Sequence, residues 1–422
     1  MSDAPIDFDA VISAGSERRD ELQRTRARSA IGVSLGILAV WLIYVTAAGH
    51  WGRVGDQWAS ALTMVFGSFV AGSTPQGGGA VAFPVFTKIL EVDAQVARSF
   101  SLCIQAVGMG AASLAIIVNR RRVEWRAVAI AVPGAIAGFL FGLYVLGDSG
   151  DLFWPSRVPG AYVKVTFTLI VAAMALVVYL GYRVQLLERL DEMPKPTTRT
   201  VTTIALAGLL GGVASSLVGS GSDVILYLAV VVLIGVSPRV GVPTSVIVMA
   251  IVSVLGFVLL GFVDGQLSIA LDSNGDVVGV GGETVEPLDG SRYDLFGLWL
   301  AAAPVVGFGA PVGSWASSRV TDRQLVKFVV ALALAETLST IVFLDGLAQN
   351  PDGALILFAV IGSIVVIAGL TMLKRHRRAI LGLPAVDLQQ SFTRSRLDAG
   401  PRFREQLGDD QPQPDDRPGG ES

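Results

Sequence analysis

The chain has 422 residues, of which 52% are hydrophobic and only 16% are charged, with a mean hydropathy of +0.60 and a net charge of −3. Soluble domains carry about 25% charged residues, so this composition excludes an ordinary soluble protein and leaves no basic surface for nucleic acid. Two histidines and a single cysteine, Cys103, provide neither an internal disulfide nor a Cys/His metal cluster. We therefore expect a protein of the lipid bilayer, with no metal site and no cofactor.

In chain order, apolar runs of about 17–25 residues predict helices that cross a membrane. Residues 1–30 are polar and are expected to form a cytoplasmic segment, followed by an extra helix and loop in 31–58. The predicted full spans are 31–48, 99–118, 126–147, 161–182, 242–262, 294–317, 325–345 and 354–373. Loop 263–293 carries an Asn274-Gly275 turn signal, which favours a small hairpin. Residues 374–422 are expected to be a cytoplasmic and largely disordered tail.

Two further apolar stretches, 59–90 and 201–236, are interrupted by glycine-rich breaks at Gly72 to Gly79 and at Gly219 to Asp223. Each stretch is either one kinked span or a hairpin that returns to its own side. Positively charged loops stay in the cytoplasm, and two hairpins are needed to place every basic cluster there. The sequence therefore predicts two hairpins, both termini in the cytoplasm, loop 263–293 outside, and a cytoplasmic-membrane location.

The two halves of the chain match at fixed offsets. A shift of 144 residues pairs Gly67 with Gly211, Gly77 with Gly221, Gly79 with Asp223 and Ser101 with Ser245. A shift of 171 pairs Pro133, Gly138 and Gly142 with Pro304, Gly309 and Gly313. Each repeat is a hairpin followed by three spans, and because three is odd the second copy must be inverted. We predict an all-α polytopic membrane protein with repeats in 59–182 and 201–345, joined by the cytoplasmic linker 183–200.

The glycine-rich breaks are candidates for a binding site. Each precedes a half-helix, and a helix start presents unpaired N–H groups and a partial positive charge. Two opposed starts near the membrane midplane would bind an anion, although the glycines could instead serve only helix packing. The candidate substrate-binding residues are Thr74, Gln76, Gly77, Gly78, Gly79, Ser101, Gln105, Ser220, Gly221, Ser222, Thr244 and Ser245.

Two carboxylates at membrane depth, Asp223 and Glu336, are candidates for proton or ion coupling, because a charge there is costly and suggests function. Asp223 could instead be the N-cap of the half-helix 223–236, where Asp is favoured. Glu336 could instead be a buried residue whose charge a neighbouring helix satisfies. A functional Asp223 would be protonated when an anion is bound, since two like charges repel. The stripe Gly134, Gly138 and Gly142 is interpreted as a packing surface only.

Several segments carry a resemblance to a known family. They are AGSTPQGGGAVAFPVF (Ala71 to Phe86), ARSFSL (Ala97 to Leu102), GVPTSV (Gly241 to Val246) and RRVEWRAVAIAVPGAIAGFLFG (Arg121 to Gly142). Together they resemble the sulfite exporter TauE/SafE family over about residues 60–345. The resemblance implies two related halves and transport of sulfur oxyanions or organosulfur anions. The second glycine motif departs from the family pattern, because Ser222 and Asp223 replace two glycines.

The sequence is therefore best interpreted as a permease that moves a small anion, such as sulfite or an organosulfonate, by alternating access. An anion channel and a non-transporting membrane scaffold are the alternatives. An intramembrane enzyme is a weaker alternative, because it would need a nucleophile–base pair or a metal site at membrane depth, and we do not expect an enzyme. The substrate, the coupling ion and the oligomeric state stay open, with a homo-oligomer as one option.

Overall fold

The computed structural model describes residues 31–74, 77–90, 92, 94–145, 160–183, 192–193, 196–259, 263, 270–271, 277–278, 295–317, 319, 322–344, 347 and 351–380. Within these residues the helices are α1 (Ile31–Ala48), α2 (Trp51–Asp56), α3 (Trp58–Ser73), α4 (Gly79–Lys88), α5 (Ala94–Val118), α6 (Trp125–Tyr144), α7 (Gly160–Arg183), α8 (Thr198–Val218), α9 (Ser222–Tyr227), α10 (Pro238–Val258), α11 (Leu295–Ser317), α12 (Asp322–Phe343) and α13 (Gly353–Ile380). A π-helix, Leu228–Leu233, continues α9.

The predicted spans are helices, with bounds that agree to within a few residues. In the described part of the chain, six helices are long and apolar enough to cross a membrane: α1, α5, α6, α8, α10 and α11. Shorter apolar helices include α3 and the combined α9 and π-helix, Ser222–Leu233. The architecture is that of a polytopic helical membrane protein, as the apolar runs predict.

Both broken stretches reverse direction at their glycines. A Cβ on Gly78 would lie 3.3 Å from the carbonyl oxygen of Gly67, so α4 begins alongside α3 instead of continuing beyond it. In the second stretch a Cβ on Gly211 would lie 2.8 Å from the Cα of Ser222, so α9 turns back along α8. Each stretch is therefore a hairpin. The pair Gly67 and Gly78 and the pair Gly211 and Ser222 have the same separation in sequence, so the two turns match.

The halves also exchange their packing partners. Among the described helices, α6 packs along α8, and α11 packs along α3. A Cβ on Gly142 would lie 3.7 Å from the Cα of Val213, and a Cβ on Gly313 would lie 3.1 Å from the Cα of Phe69. These two contacts are equivalent under the offsets of 171 and 144 residues. The matching contacts favour the inverted-repeat arrangement, which stays a prediction about the origin of the two halves.

The stripe on α6 is a packing surface. A Cβ on Gly138 would collide with the carbonyl oxygen of Leu209 on α8. On the other side of the same interface, a Cβ on Gly212 would collide with the carbonyl oxygen of Ala135. Small residues let two helix backbones approach this closely in a membrane, where packing and not hydrophobicity drives association.

The structure adds detail to the sequence prediction in three places. The residues between the first span and the first hairpin form the short helix α2. Loop 263–293 contains a two-stranded antiparallel ladder, β1 (Ala270–Leu271) with β2 (Val277–Val278), on either side of the turn at which the sequence favours a small hairpin. The last helix reaches Ile380, seven residues into the predicted tail.

Candidate functional site

The two glycine-rich breaks meet beside α5. A Cβ on Gly77 would lie 2.9 Å from Gln105 Oε1 and 3.0 Å from Asp223 Oδ2. A Cβ on Gly79 would lie 2.6 Å from Ser101 Oγ and 3.1 Å from the Cβ of Ser220. Residues from both hairpins and from α5 therefore surround one point inside the protein.

Backbone conformation explains why glycine occupies matching positions in the two breaks. Gly77 has φ +68° and Gly221 has φ +136°, in the region that residues with a Cβ rarely adopt. Each hairpin reverses direction at this glycine, and the half-helix that follows begins just after it. At Gly77 the missing side chain also leaves room for the oxygen atoms of Gln105 and Asp223.

Hydrogen bonds fix the side chain of Gln105. Its Nε2 donates to the carbonyl oxygen of Gly219 and to Ser101 Oγ, both at 2.9 Å. A carbonyl can only accept, so the amide nitrogen must face Gly219 and the amide oxygen must face Gly77. Gln105 is 1% exposed, and its Oε1 has no hydrogen-bond partner in the described residues.

Asp223 is fully buried and is the second residue of α9, with Gly221 at the N-cap. Its Oδ1 accepts the N–H of Val224 at 2.9 Å, while Oδ2 has no hydrogen-bond partner among the described residues. The preceding N–H, of Ser222, donates to Ser215 Oγ at 3.0 Å. The start of α9 is thus already occupied by side chains of its own hairpin.

This occupancy distinguishes the two helix starts. The start of α4 has a glycine, Gly79, at the position that corresponds to Asp223. The start of α9 instead carries a carboxylate that satisfies one of its own N–H groups. A helix start already neutralised by a side-chain anion attracts a second anion less strongly. The first hairpin is therefore the better place for an anionic ligand.

The remaining candidates are not all close to Gly77. Thr74 Oγ1 donates to the carbonyl oxygen of Val70 within its own hairpin. Thr244 Oγ1 accepts the N–H of Glu124 at 3.0 Å, which places it beside the start of α6 and away from the breaks. Ser245 Oγ donates to the carbonyl oxygen of Val242, in the preceding turn. Gln76 lies outside the described residues, and Gly78 packs against α3.

Glu336 belongs to a different cluster. Its Oε1 lies 2.8 Å from Lys88 Nζ and accepts from Thr168 Oγ1 at 3.0 Å. Lys88 Nζ also donates to Thr340 Oγ1 at 2.7 Å and to Ser339 Oγ at 3.0 Å. The side chains of Lys88 and Glu336 are 2% and 3% exposed. The cluster joins α4, α7 and α12, and it gives Glu336 the neighbouring-helix partners that the sequence left as an alternative.

The ion pair and the glycine-rich breaks occupy different levels of the first hairpin. Lys88 is the last residue of α4, ten residues long, whereas the break lies at its start. At about 1.5 Å per residue these ends are roughly 13 Å apart. The sequence analysis did not single out Lys88. A lysine at the end of an apolar half-helix, with a carboxylate in another apolar span, is the signal that could have identified the pair.

Arg98 is a second residue that the sequence analysis did not single out, although it lies in the ARSFSL segment. It is fully buried, and its Nη1 donates to the carbonyl oxygen of Ser216 at 3.1 Å. This carbonyl belongs to the last turn of α8, where a positive charge is favourable. Arg98 therefore holds the end of α8 against α5 at the level of the second break.

The fold and the site define a helical membrane protein with two glycine-broken hairpins around a buried polar centre. A family model described as "Sulfite exporter TauE/SafE" matches residues 59–340, well over half of the chain and both hairpins. The chain belongs to the sulfite exporter TauE/SafE family of membrane transporters. Comparisons with curated proteins and with solved structures give no match.

Proposed function

We propose that this protein is a secondary transporter that moves a small anion across the cytoplasmic membrane by alternating access. The substrate class is a sulfur oxyanion or an organosulfonate, with sulfite as the first candidate. The observation that carries the proposal is the meeting of two broken hairpins beside Gly77, around a buried polar centre. Membership of the TauE/SafE family supports the substrate class.

The anion is bound at the start of α4. The glycines there place no side chain of their own over its first N–H groups, and a helix start favours negative charge. Ser101 Oγ, on the central helix α5, would lie 2.6 Å from a Cβ on Gly79; it donates to the carbonyl oxygen of Gly219 at 3.3 Å and turns this donor to the anion when the anion binds. Oxyanions and sulfonates present several acceptor oxygens, so a set of N–H and O–H donors suits them better than a neutral substrate.

The packing supports alternating access as the mechanism. The hairpin arms α3 and α8 each pack against a helix of the other half, and transporters built from inverted repeats move one packed group of helices against the other around a central site. Of the two buried carboxylates, we assign coupling to Asp223, because it lies in this centre while Glu336 is held in an ion pair.

Uptake into liposomes tests this function. Purified protein is reconstituted, and uptake of sulfite, thiosulfate, sulfate and sulfoacetate is measured against protein-free liposomes. A carrier gives saturable uptake and exchange of labelled for unlabelled substrate. An ohmic current in planar bilayers would identify an anion channel instead, and no flux of any of the four anions would reject the proposal in favour of a scaffold.

The proposed orientation has a separate experiment. Cysteines are introduced at Ser273 and Ser391 in a Cys103→Ala background and treated with an impermeant thiol reagent on whole cells. We expect labelling of Ser273→Cys and protection of Ser391→Cys, because the basic clusters place loop 263–293 outside and both termini inside. The reverse pattern would show that the orientation is wrong.

A further inference from the structure

Two acceptor atoms converge on one space in the buried centre. Asp223 Oδ2 and Gln105 Oε1 both lie within 3.0 Å of the point where a side chain on Gly77 would begin. Both atoms are fully buried, and neither has a hydrogen-bond partner in the described residues. A buried acceptor left unsatisfied costs about 1–3 kcal/mol, so two of them converging on one space indicate that a donor belongs there.

We propose that Asp223 and Gln105 form a proton-binding site, in which Oδ2 of Asp223 carries the proton and Oε1 of Gln105 accepts its hydrogen bond. The proton is taken up from the aqueous solution when the site is open to it. Once protonated, Oδ2 of Asp223 becomes a donor to Oε1 of Gln105, and both atoms then have a hydrogen-bond partner. Gln105 acts as a positioning residue, since its amide is held in this orientation by Gly219 and Ser101.

A metal cation fits this space less well than a proton. Cations in transporters bind at the carboxyl ends of broken helices, whereas helix starts favour negative charge. Asp223 lies at the start of α9. The nearby carbonyl of Gly219, which closes α8, is already engaged by Gln105 Nε2. Two oxygens are too few to replace the hydration shell of an alkali cation.

Few other charged or titratable groups lie on the elements packed around Asp223. The π-helix carries none, and α8 and α10 each carry one arginine, in the first turn. The groups on α9 itself and on α5 and α7 are Tyr227, Arg98, Cys103, Tyr162, Lys164, Tyr179, Tyr182 and Arg183. The side chains of Tyr182 and Arg183 lie outside the described part of the structure, and none of the other six groups forms an ion pair with Asp223. The charge of Asp223 is therefore set by its own protonation, which a bound anion favours.

The proton site deepens the proposed function, and its coupling step rests on that function. Ionised Asp223 places a negative charge beside the space where the anion binds, and the two charges repel. Protonated Asp223 is neutral and no longer opposes the attraction of the anion to the start of α4. Binding of proton and anion are therefore mutually favourable, and each increases the affinity for the other by the same factor.

Infrared difference spectroscopy tests the proton site without transport. The full chain in lipid nanodiscs is titrated over about pH 5 to 8, in sodium-free buffer and again with sodium. We expect a carboxylic-acid carbonyl band that develops on acidification and is absent in Asp223→Asn.

In Gln105→Leu the band should move to higher wavenumber and require about a tenfold higher proton concentration, the equivalent of one lost hydrogen bond. Ser253→Ala, a buried hydroxyl on α10, is the matched control and should leave the band unchanged.

The outcomes distinguish failure of the proton site from failure of the proposed transport function. Persistence of the band in Asp223→Asn, or no band in the parent protein, would overturn the proton site. A titration that shifts with sodium would assign the space to a cation instead. If Gln105→Leu fails to fold, proton uptake on adding a non-titrating sulfonate decides the matter: the parent should take up protons and Asp223→Asn should not. A normal band in a protein that transports no anion would retain the proton site and reject the transporter.

Discussion

Asp223 and Glu336 are both carboxylates inside apolar helices, yet their surroundings differ completely. Glu336 has an ammonium group at 2.8 Å and hydroxyl donors from two helices. Asp223 has one backbone N–H on one oxygen and no partner for the other among the described residues. A buried carboxylate whose partners are complete is held in one state by the fold. One that lacks a partner can gain a proton without disrupting the structure, and this difference separates a structural residue from a coupling residue.

Breaking the ion pair should have the largest effect. Lys88→Met removes the only ammonium that contacts Glu336 in the described structure and leaves a buried charge unpaired, which costs about 3–5 kcal/mol. We expect a marked fall in the thermal unfolding temperature in detergent and in the yield of monodisperse protein. Lys327→Met, at an exposed lysine on α12, should change neither.

A double variant shows whether charge or shape is responsible. In Lys88→Met/Glu336→Leu both charges are gone, and the hydroxyls of Thr168 and Thr340 keep their bonds to backbone carbonyls. Stability should therefore recover most of the loss, because replacing a buried pair by apolar residues is often neutral. A double variant as unstable as Lys88→Met would show that the cluster contributes through its packing.

An intermediate effect is expected at Gly77, where the polar centre has its least space. Gly77→Ala forces a Cβ into a backbone with φ +68°, which costs about 1–2 kcal/mol. The same Cβ would displace the oxygens of Gln105 and Asp223. We expect uptake to fall at least tenfold, about the effect of 1.4 kcal/mol, while the protein stays folded.

Gly110→Ala provides the comparison for this variant. Gly110 lies on α5 as Gln105 does, but no atom lies within 4 Å of the position that its Cβ would occupy. It should retain parental uptake and stability. Equal uptake by both variants would mean that the space beside Gly77 has no part in transport.

Much of the helical architecture could be predicted, because apolar length and glycine-rich interruptions are local properties of the sequence. The predicted breaks at Gly72 to Gly79 and Gly219 to Asp223 coincide with the observed reversals. The end of α13 was missed for a physical reason: the basic residues after 373 end the apolar run, but arginine and lysine favour helix continuation and suit a helix end. Hydropathy thus locates the edge of the bilayer and not the end of the helix.

The site was only partly predictable, since its chemistry depends on contacts between distant segments. Nothing near Glu336 in sequence indicates Lys88, 248 positions away. Nor does the sequence show that Thr244 lies beside Glu124, or that Gly219 fixes the amide of Gln105. The offset of 144 residues did identify Asp223 as the residue that distinguishes the two hairpins, because a glycine stands at the equivalent position.

The smallest change in stability, with the most specific change in function, is expected from Asp223→Asn. The amide oxygen of asparagine can accept the Val224 N–H as the carboxylate of Asp223 does, so the unfolding temperature should change little. It cannot exchange a proton, so uptake of a sulfonate should lose its dependence on pH. In the parent protein, uptake should fall as pH rises, because ionised Asp223 repels the anion.

Glu336→Gln should show the opposite combination, a lower unfolding temperature with the parental pH dependence in the protein that folds. Uptake from about pH 5 to 8 and thermal unfolding, measured on both variants, distinguish the two carboxylates. A parental pH profile in Asp223→Asn, or its loss in Glu336→Gln, would reverse the assignment.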